Sequence, residues 1–355
     1  LFLFIFLFLL GLLFSFSSTS SVVAEKMNKQ TYFFFLKHLV FVSISLLFLV
    51  LISLQDKNKL IKLLPLFFTI SVFLLCLVPL FGVEVKGSKR WLDFPFFPRF
   101  QPIELAKPLF ILFVAKVIVM NEKINIYNRY LYSFLILIFI IALLINQPDL
   151  GQSLLLILSW VTMIFVSGFN MIILSVLGLM FLSIIILLIY IFPDKFGYIF
   201  LRIKTFIDPK AGDNFQSQKA LDAIKQGGLT GQGMGEGILK DSVPEAHTDY
   251  IIAIISEEYG SIVSIMIILI FLYISFRIIK NCINQEDKLI KISLCGLAAL
   301  FIFQTFIHVG VNTSLIPTTG MTLPFLSYGG SSLVGSAILA GIILNYTKNK
   351  NYLYE

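Results

Sequence analysis

Three ionisable side chains, Glu245, His247 and Asp249, fall within five residues in the stretch Val243-Pro244-Glu245-Ala246-His247-Thr248-Asp249-Tyr250, directly ahead of a long apolar run. A carboxylate at such a mouth, partly withdrawn from water, has its pKa raised toward the range of a useful general base. The competing reading is structural, since Thr248 or Asp249 can cap the helix that the apolar run must form. A second set lies in Arg99-Phe100-Gln101-Pro102-Ile103-Glu104-Leu105-Ala106-Lys107, where Pro102 suits a first helical turn. Glu104 and Lys107 stand three apart and share a helix face, so they can pair. Asp149, in Gln147-Pro148-Asp149-Leu150-Gly151-Gln152, taken alone is an ordinary turn aspartate.

Glu257 and Glu258 lie two turns beyond Asp249. At about 100° per residue, Glu257 projects roughly 80° away from Asp249 and Glu258 nearly opposite, so both cannot join it in one cavity. One of them is expected to pair with a neighbouring helix, and carboxylates so placed also serve proton relays. The last cluster runs from Ile316 to Ser332, with Pro317, Gly320, Pro324, Ser327, Gly329 and Gly330. Two prolines, small residues and hydroxyls at that depth predict a broken or re-entrant lead into the final span, which survives only when buried in protein or lining a cavity. Close helix packing by small residues is the plainer alternative.

The elements that must position these residues follow from composition. Apolar types make up 58% of the chain and charged types 13%, and the apolar residues fall in long blocks. A helix needs about 20 apolar residues to cross the hydrocarbon core. Runs of that size predict spans at about 1–20, 33–53, 62–82, 102–120, 130–147, 151–167, 170–192, 250–279, 290–311 and 325–346. With no period-2 alternation a membrane β-barrel is excluded, and the expected fold is all-α: a polytopic bundle of about ten transmembrane helices forming one domain over residues 1–355. Ser20-Ser21-Val22-Val23-Ala24 has the look of a signal-peptide cleavage region, but no basic segment precedes the first apolar run. The net charge of +7 is spread over loops and forms no tract suited to nucleic acid, so acidic headgroups or phosphate-bearing ligands are the expected partners. Cys76, Cys282 and Cys295 match neither a zinc site nor a disulfide framework.

Lys57, Lys59, Lys62, Lys123, Arg129, Arg277, Lys280, Lys288, Lys291, Lys348 and Lys350 all fall on one side when ten spans are counted, which makes that side, with both termini, the cytoplasm. Against the rule, Lys86, Lys89, Arg90 and Arg99 fall outside in a short connection, and an anionic ligand held there explains their charge. Residues 193–249 form the one large extracytoplasmic loop, in which Phe206, Ile207 and Phe215 give material to pack on the membrane surface.

The stretches GSKRWLDF, RFQPIELAK, QPDLGQS, RIKTFIDP, QGGLTGQGMGEG, VPEAHTDYIIAIISEEYG and IPTTGMTLPFLSYGGSS resemble, in order, the signatures of the SEDS family of shape, elongation, division and sporulation proteins. GMGEG and TTGMTLPFLSYGGSS look more like its division member than its elongation member. The resemblance implies a ten-helix peptidoglycan glycosyltransferase that polymerises lipid II into nascent glycan at the outer face of the bacterial inner membrane, at the division septum. It also implies a class B penicillin-binding protein, the transpeptidase, and other divisome membrane proteins as partners. By the same matching Asp249 is the essential aspartate, and Arg99, Glu104, Lys107 and Asp149 fall on positions important for activity.

On this reading Asp249 is the catalytic base. Lys89, Arg90, Arg99 and Lys107 hold diphosphate, Glu104 positions Lys107, and Asp149, Glu245, His247 and Ser327 complete the substrate site. A divalent cation such as Mg at the diphosphate is compatible with the chemistry, although no metal-ligand constellation is evident. The rivals are a lipid II flippase, which intramembrane charges and broken helices also fit, and a scaffold that only recruits the transpeptidase. Functional groups gathered on the outer side favour an enzyme.

Overall fold

The computed structural model describes residues 1–18, 33–85, 88–95, 98–120, 124–191, 193–208, 215–239, 242–243 and 245–348. Ten helices stand where ten spans are expected. They are α1 (Phe2–Ser18), α2 (Phe33–Leu54), α3 (Lys57–Phe81), α4 (Pro102–Val119), α5 (Ile126–Ile145), α6 (Leu150–Val166), α7 (Met171–Ile191), α10 (Ile251–Ile283), α11 (Lys288–Asn312) and α12 (Gly330–Thr347). Among the described residues, α2, α3, α5, α10, α11 and α12 are long and apolar enough to cross a membrane on length and composition alone; α1 and α6 are shorter apolar helices. In α4, Glu104, Lys107 and Lys116 interrupt the apolar run. The large loop adds α8 (Pro193–Ile207) and α9 (Phe215–Gly227), so it is a folded element and not a spacer.

Local chemistry sets the boundaries. Asp56 accepts from the Asn58 amide and starts α3 earlier than the apolar run suggests, and Asp287 caps α11 through Leu289 and Ile290. Pro102 opens α4, as its position predicts. The last helix begins at Gly330, five residues later than expected, because Phe325 takes φ +67° and the chain from Ser314 to Gly329 stays non-helical. The part from Met321 onward is largely buried: Met321, Leu323, Phe325, Leu326 and Ser327 are each at most 2% exposed. It is thus the protein-enclosed, re-entrant lead that its prolines and glycines predict.

The core is assembled around this segment. Phe4 and Phe8 of α1 and Phe301 of α11 pack their rings on Phe325. A Cβ at Gly335 of α12 would meet the Glu104 carbonyl at 2.4 Å, so α12 and α4 are in backbone contact there. His308 Nδ1 lies 2.7 Å from the Met321 carbonyl and ties α11 to the same segment. By contrast α7 packs chiefly on α8.

Between α3 and α4 the connection forms an antiparallel hairpin, β1 (Val83–Val85) with β2 (Ser88–Trp91), pairing Glu84 with Lys89 and Val85 with Ser88. A bridge from Leu92 to Phe100 closes the connection. The all-α expectation omits this hairpin, whose strands of three and four residues are too short to carry a periodic signal.

Candidate active site

Four segments distant in sequence meet at one end of the bundle. The hairpin brings Arg90, the α5–α6 turn brings Asp149, the turn before α10 brings Asp249, and the re-entrant segment brings Gly320. Alternation along β2 turns neighbouring side chains to opposite faces. Lys89 is accordingly exposed, while Arg90 turns inward, donating through Nε to the Gln147 carbonyl at 3.1 Å and through Nη2 to the Pro148 carbonyl. Its Nε also lies 3.8 Å from Asp149 Oδ2.

Asp149 is 1% exposed, and it accepts from Gln101 Nε2 at 3.1 Å and from the Gln152 amide at 3.4 Å, which makes it the N-cap of α6. Burial pushes its carboxyl above the ordinary range, against the pull of Arg90 and the Gln152 amide. The turn aspartate of the sequence is therefore both a cap and the partner of a site arginine.

Gly320 measures how near Asp249 lies to Arg90. A Cβ on it would sit 3.3 Å from Asp249 Oδ2 and 3.8 Å from Arg90 Nη1, so those two groups flank one small space that glycine leaves open. Gly320 has φ +67°, a conformation that suits glycine.

The turn carrying Asp249 is held from several directions. The Glu245 carbonyl accepts from the amides of Thr248, Asp249 and Tyr250, with Glu245 itself at φ +57°. Thr248 Oγ1 donates to Glu245 Oε2, and the Ser327 hydroxyl donates to the Thr248 carbonyl at 2.6 Å while accepting from the Leu323 amide. The His247 carbonyl accepts from the Tyr328 amide, and its ring sits among those of Phe34 and Tyr328. Pro244 lies outside the described residues.

The capping expectation is corrected. The helix begins at Ile251, and neither Thr248 nor Asp249 caps it. Asn312, at the end of α11, does so from outside: its Oδ1 accepts from the Ala253 amide, and its Nδ2 donates to the Asp249 carbonyl. Because Asp249 precedes the helix, the angular projection from it to Glu257 and Glu258 also fails. Glu257 is fully buried and accepts from the Leu239 amide at 2.7 Å, which ties it to the large loop. Gly260, at φ +87°, breaks α10, and the glycine-rich loop fills the break: Gln232 and Gly233 donate to the carbonyls of Glu257 and Glu258, and Ser261 donates to Gly228.

Three of the residues expected to bind substrate are placed elsewhere. Lys107 is 3% exposed, lies 2.9 Å from Glu104 Oε2 and donates to Gln304 Oε1; Glu104 Oε1 accepts from Gln152 at 2.7 Å, and Gln304 donates to the Thr322 carbonyl. The adjoining void is about 10 Å³, space for a single water and not for a diphosphate. The expectation that Lys107 holds diphosphate, positioned by Glu104, does not fit this geometry. Arg99 is exposed and paired with Asp93 at 2.6 Å. Lys89 faces outward, and Lys86 lies outside the described residues. Glu245, His247 and Ser327 shape the Asp249 turn through the bonds just given.

One residue not singled out in the sequence joins the cluster. Arg202 of α8, within RIKTFIDP, donates to the Thr318 carbonyl at 3.1 Å, two residues from Gly320. Burial, and after it the like charge of Arg90, hold its guanidinium below the ordinary value, with Asp149 opposing. Its signal in the sequence is a cation on an amphipathic stretch of the outer loop. Among the described residues no three His, Cys, Asp or Glu side chains are placed to share a metal ion, and Asp149 is already turned to Arg90 and Gln101. This donor set does not fit a metal ion held by protein ligands.

The family model described as "Cell cycle protein" (FtsW, RodA, SpoVE) matches residues 1–352. The chain is 33% identical over 336 residues to a probable peptidoglycan glycosyltransferase FtsW of Geobacter sp. strain M18, covering 92% of this chain and 90% of that protein. It is 32% identical over 292 residues to the protein of the same name from Caulobacter vibrioides, covering 80% and 72%. Among solved structures, a chain of a peptidoglycan synthase complex that coordinates polymerization and crosslinking superposes with TM-score 0.76 at 22% identity, covering 97% of this chain and 96% of that one. The rod shape determining protein RodA of Thermus thermophilus superposes with TM-score 0.69 at 23% identity, covering 98% and 94%.

Proposed function

The chain belongs to the FtsW, RodA and SpoVE family of cell cycle proteins, and on that premise we propose that Asp249 is the general base of its glycosyl transfer. It is a multi-pass membrane protein and a peptidoglycan glycosyltransferase. The observation that carries the site assignment is the space at Gly320, where a Cβ would lie 3.3 Å from Asp249 Oδ2 and 3.8 Å from Arg90 Nη1. A carboxylate and a guanidinium facing one small space suit a reaction that releases a proton at one end and develops negative charge at the other.

The 4-hydroxyl of an incoming lipid II sugar gives its proton to Asp249 as its oxygen bonds to the anomeric carbon of the growing glycan. The bond from that carbon to the diphosphate breaks, and the electron pair leaves on the diphosphate, where Arg90 and Arg202 counter it. Asp149 orients Arg90 through the 3.8 Å contact, and Gln101 orients Asp149. Asn312 fixes the Asp249 backbone. The site faces the periplasm from the inner membrane, and the chain works at the division septum beside a transpeptidase. The basic side containing Lys57, Arg277 and Lys288 supports that orientation, and the fold match to a synthase complex supports the partner. A tag at Met234 should then be reached by reagents outside the inner membrane, and tags at Lys57 or Asn284 should not; the reverse pattern defeats the assignment.

The decisive experiment is polymerisation of purified lipid II by purified protein carrying Asp249→Asn. Asn keeps the shape and cannot take the proton, so turnover should fall by about 10²–10⁴ with expression and membrane insertion unchanged. Polymer formed at the parental rate would remove Asp249 from the base role. Translocation of lipid II with no polymer from either form would establish the flippase instead.

A further inference from the structure

A separate set of cations lies at the other end of the bundle. Helices α4, α6 and α11 have Gln101, Asp149 and Asn312 at the end that carries the Asp249 turn, so Val119, Val166 and Lys288 mark the far end. There a cavity of about 320 Å³ opens between the ends of α4, α5, α6 and α11, and Arg129, Lys288 and Lys291 line it. That volume is at the small end of ligand cavities.

These cations have no carboxylate of their own. Among the described residues none of the three forms an ion pair. Asp287, next to Lys288 in the chain, directs its carboxylate to the Leu289 and Ile290 amides and lines a different cavity, with Asp56 and Glu286. Arg129 is fixed in place, because its Nη1 donates to the Ile118 and Met120 carbonyls at 3.2 and 2.9 Å and so closes the end of α4. Its Nε is buried and has no hydrogen-bond partner, a rare state for such a donor. Three cations on one small cavity repel one another, and an oxyanion entering it relieves the repulsion.

The rest of the lining says which oxyanion. It includes Ile118, Val119, Val166 and Ile292, which a soluble phosphate would leave unused. At the rim Ile126 is 44%, Leu131 51% and Phe165 60% exposed, on helix faces that a bilayer covers. Tyr127 and Tyr132, in the first two turns of α5, are also exposed, as aromatic residues are at a membrane interface. We infer that this cavity seats the phosphate of an anionic glycerophospholipid, drawn from the leaflet at the end of the bundle away from Asp249. The phosphate bridges Arg129 of α5 to Lys288 and Lys291 of α11, two helices whose own packing on each other is slight. Neither the site nor its test depends on the proposed glycosyl transfer.

The test is native mass spectrometry of the full chain in detergent, titrated with phosphatidylglycerol, with phosphatidylcholine of the same acyl chains, or with glycerol 3-phosphate. One phosphatidylglycerol should stay bound at concentrations where phosphatidylcholine does not, and glycerol 3-phosphate at equal concentration should not compete. Lys288→Gln and Lys291→Gln should each weaken retention by about fivefold, the scale for one cation beside an anionic lipid, and the double variant by about twentyfold. Lys59→Gln and Lys280→Gln remove exposed cations at the same end of the bundle but outside the cavity, and should change nothing. Equal losses in those two controls would mean diffuse attraction to a basic surface. Equal retention of phosphatidylcholine would mean apolar contact alone, and competition by glycerol 3-phosphate would mean a site for a soluble phosphate. Each of these outcomes overturns the inference, as does full retention by the double variant once its thermal unfolding without lipid matches the parent.

Discussion

Two charged clusters lie near one end of this bundle, and they differ in what their charges face. At Glu104 and Lys107 each charge is met by the other and by a carboxamide, Gln152 on one side and Gln304 on the other, beside a void of about 10 Å³. At the second cluster Arg90 and Asp249 border the space at Gly320, and Arg202 lines a groove of about 350 Å³. The first cluster joins α4 to α6, to α11 and, through Thr322, to the re-entrant segment. It fixes the floor on which the second is built. Intramembrane charges are read as functional by default, and the contrast shows that the test lies in whether the charges adjoin space that a ligand could enter.

The sharpest way to break the comparison is Lys107→Met. Removing one partner of a buried pair should cost about 3–5 kcal/mol of stability, seen as a fall in thermal unfolding temperature of the detergent-purified protein. The double change Lys107→Met with Glu104→Gln should recover most of it. Recovery of folding together with full polymerisation would place the pair wholly in the scaffold, and a stable double variant that is inactive would return Lys107 to the site.

Arg90→Gln should do the reverse. With folding kept, kcat should fall by about 10²–10³, the scale for losing one donor aimed at developing charge, and steady-state polymerisation rates with lipid II saturating would show it. A variant that instead raises KM with kcat unchanged would mean Arg90 only binds.

Ser327→Ala is a smaller probe of the same division. It removes the donor to the Thr248 carbonyl and the acceptor of the Leu323 amide, at a cost of about 1–3 kcal/mol, and unfolding should move more than KM. A selective rise in KM would restore the substrate role first given to this hydroxyl. Gly320→Ala is smallest in stability, about 1–2 kcal/mol for a left-handed residue. Its methyl enters the space between Asp249 and Arg90, so activity should fall further than stability accounts for. Parity between the two losses would show that the space is not used.

The ten helices at the expected spans, the pairing of Glu104 with Lys107 and the broken lead into α12 were legible because each rests on local chemistry: apolar run length, a three-residue helical offset, and a run of prolines with glycines. Asp249 stood out for a similar reason, as a carboxylate beside Glu245 and His247 at the end of a polar segment. What the sequence alone could not assign is where charges point and what meets them. Lys89 and Arg90 are adjacent cations in the chain, and only the hairpin separates one facing outward from one facing Asp149. Arg202 carries no local mark that sets it above other cations of its loop, and it becomes a site residue only because α8 lies against Thr318. The cap on α10 comes from Asn312, more than fifty residues away. Helix propensity, span length and turn chemistry act over a few residues, so they can be read along the chain. The pairing of charges is decided by burial across elements, where a cation and its counter-group need share nothing but a neighbourhood in space.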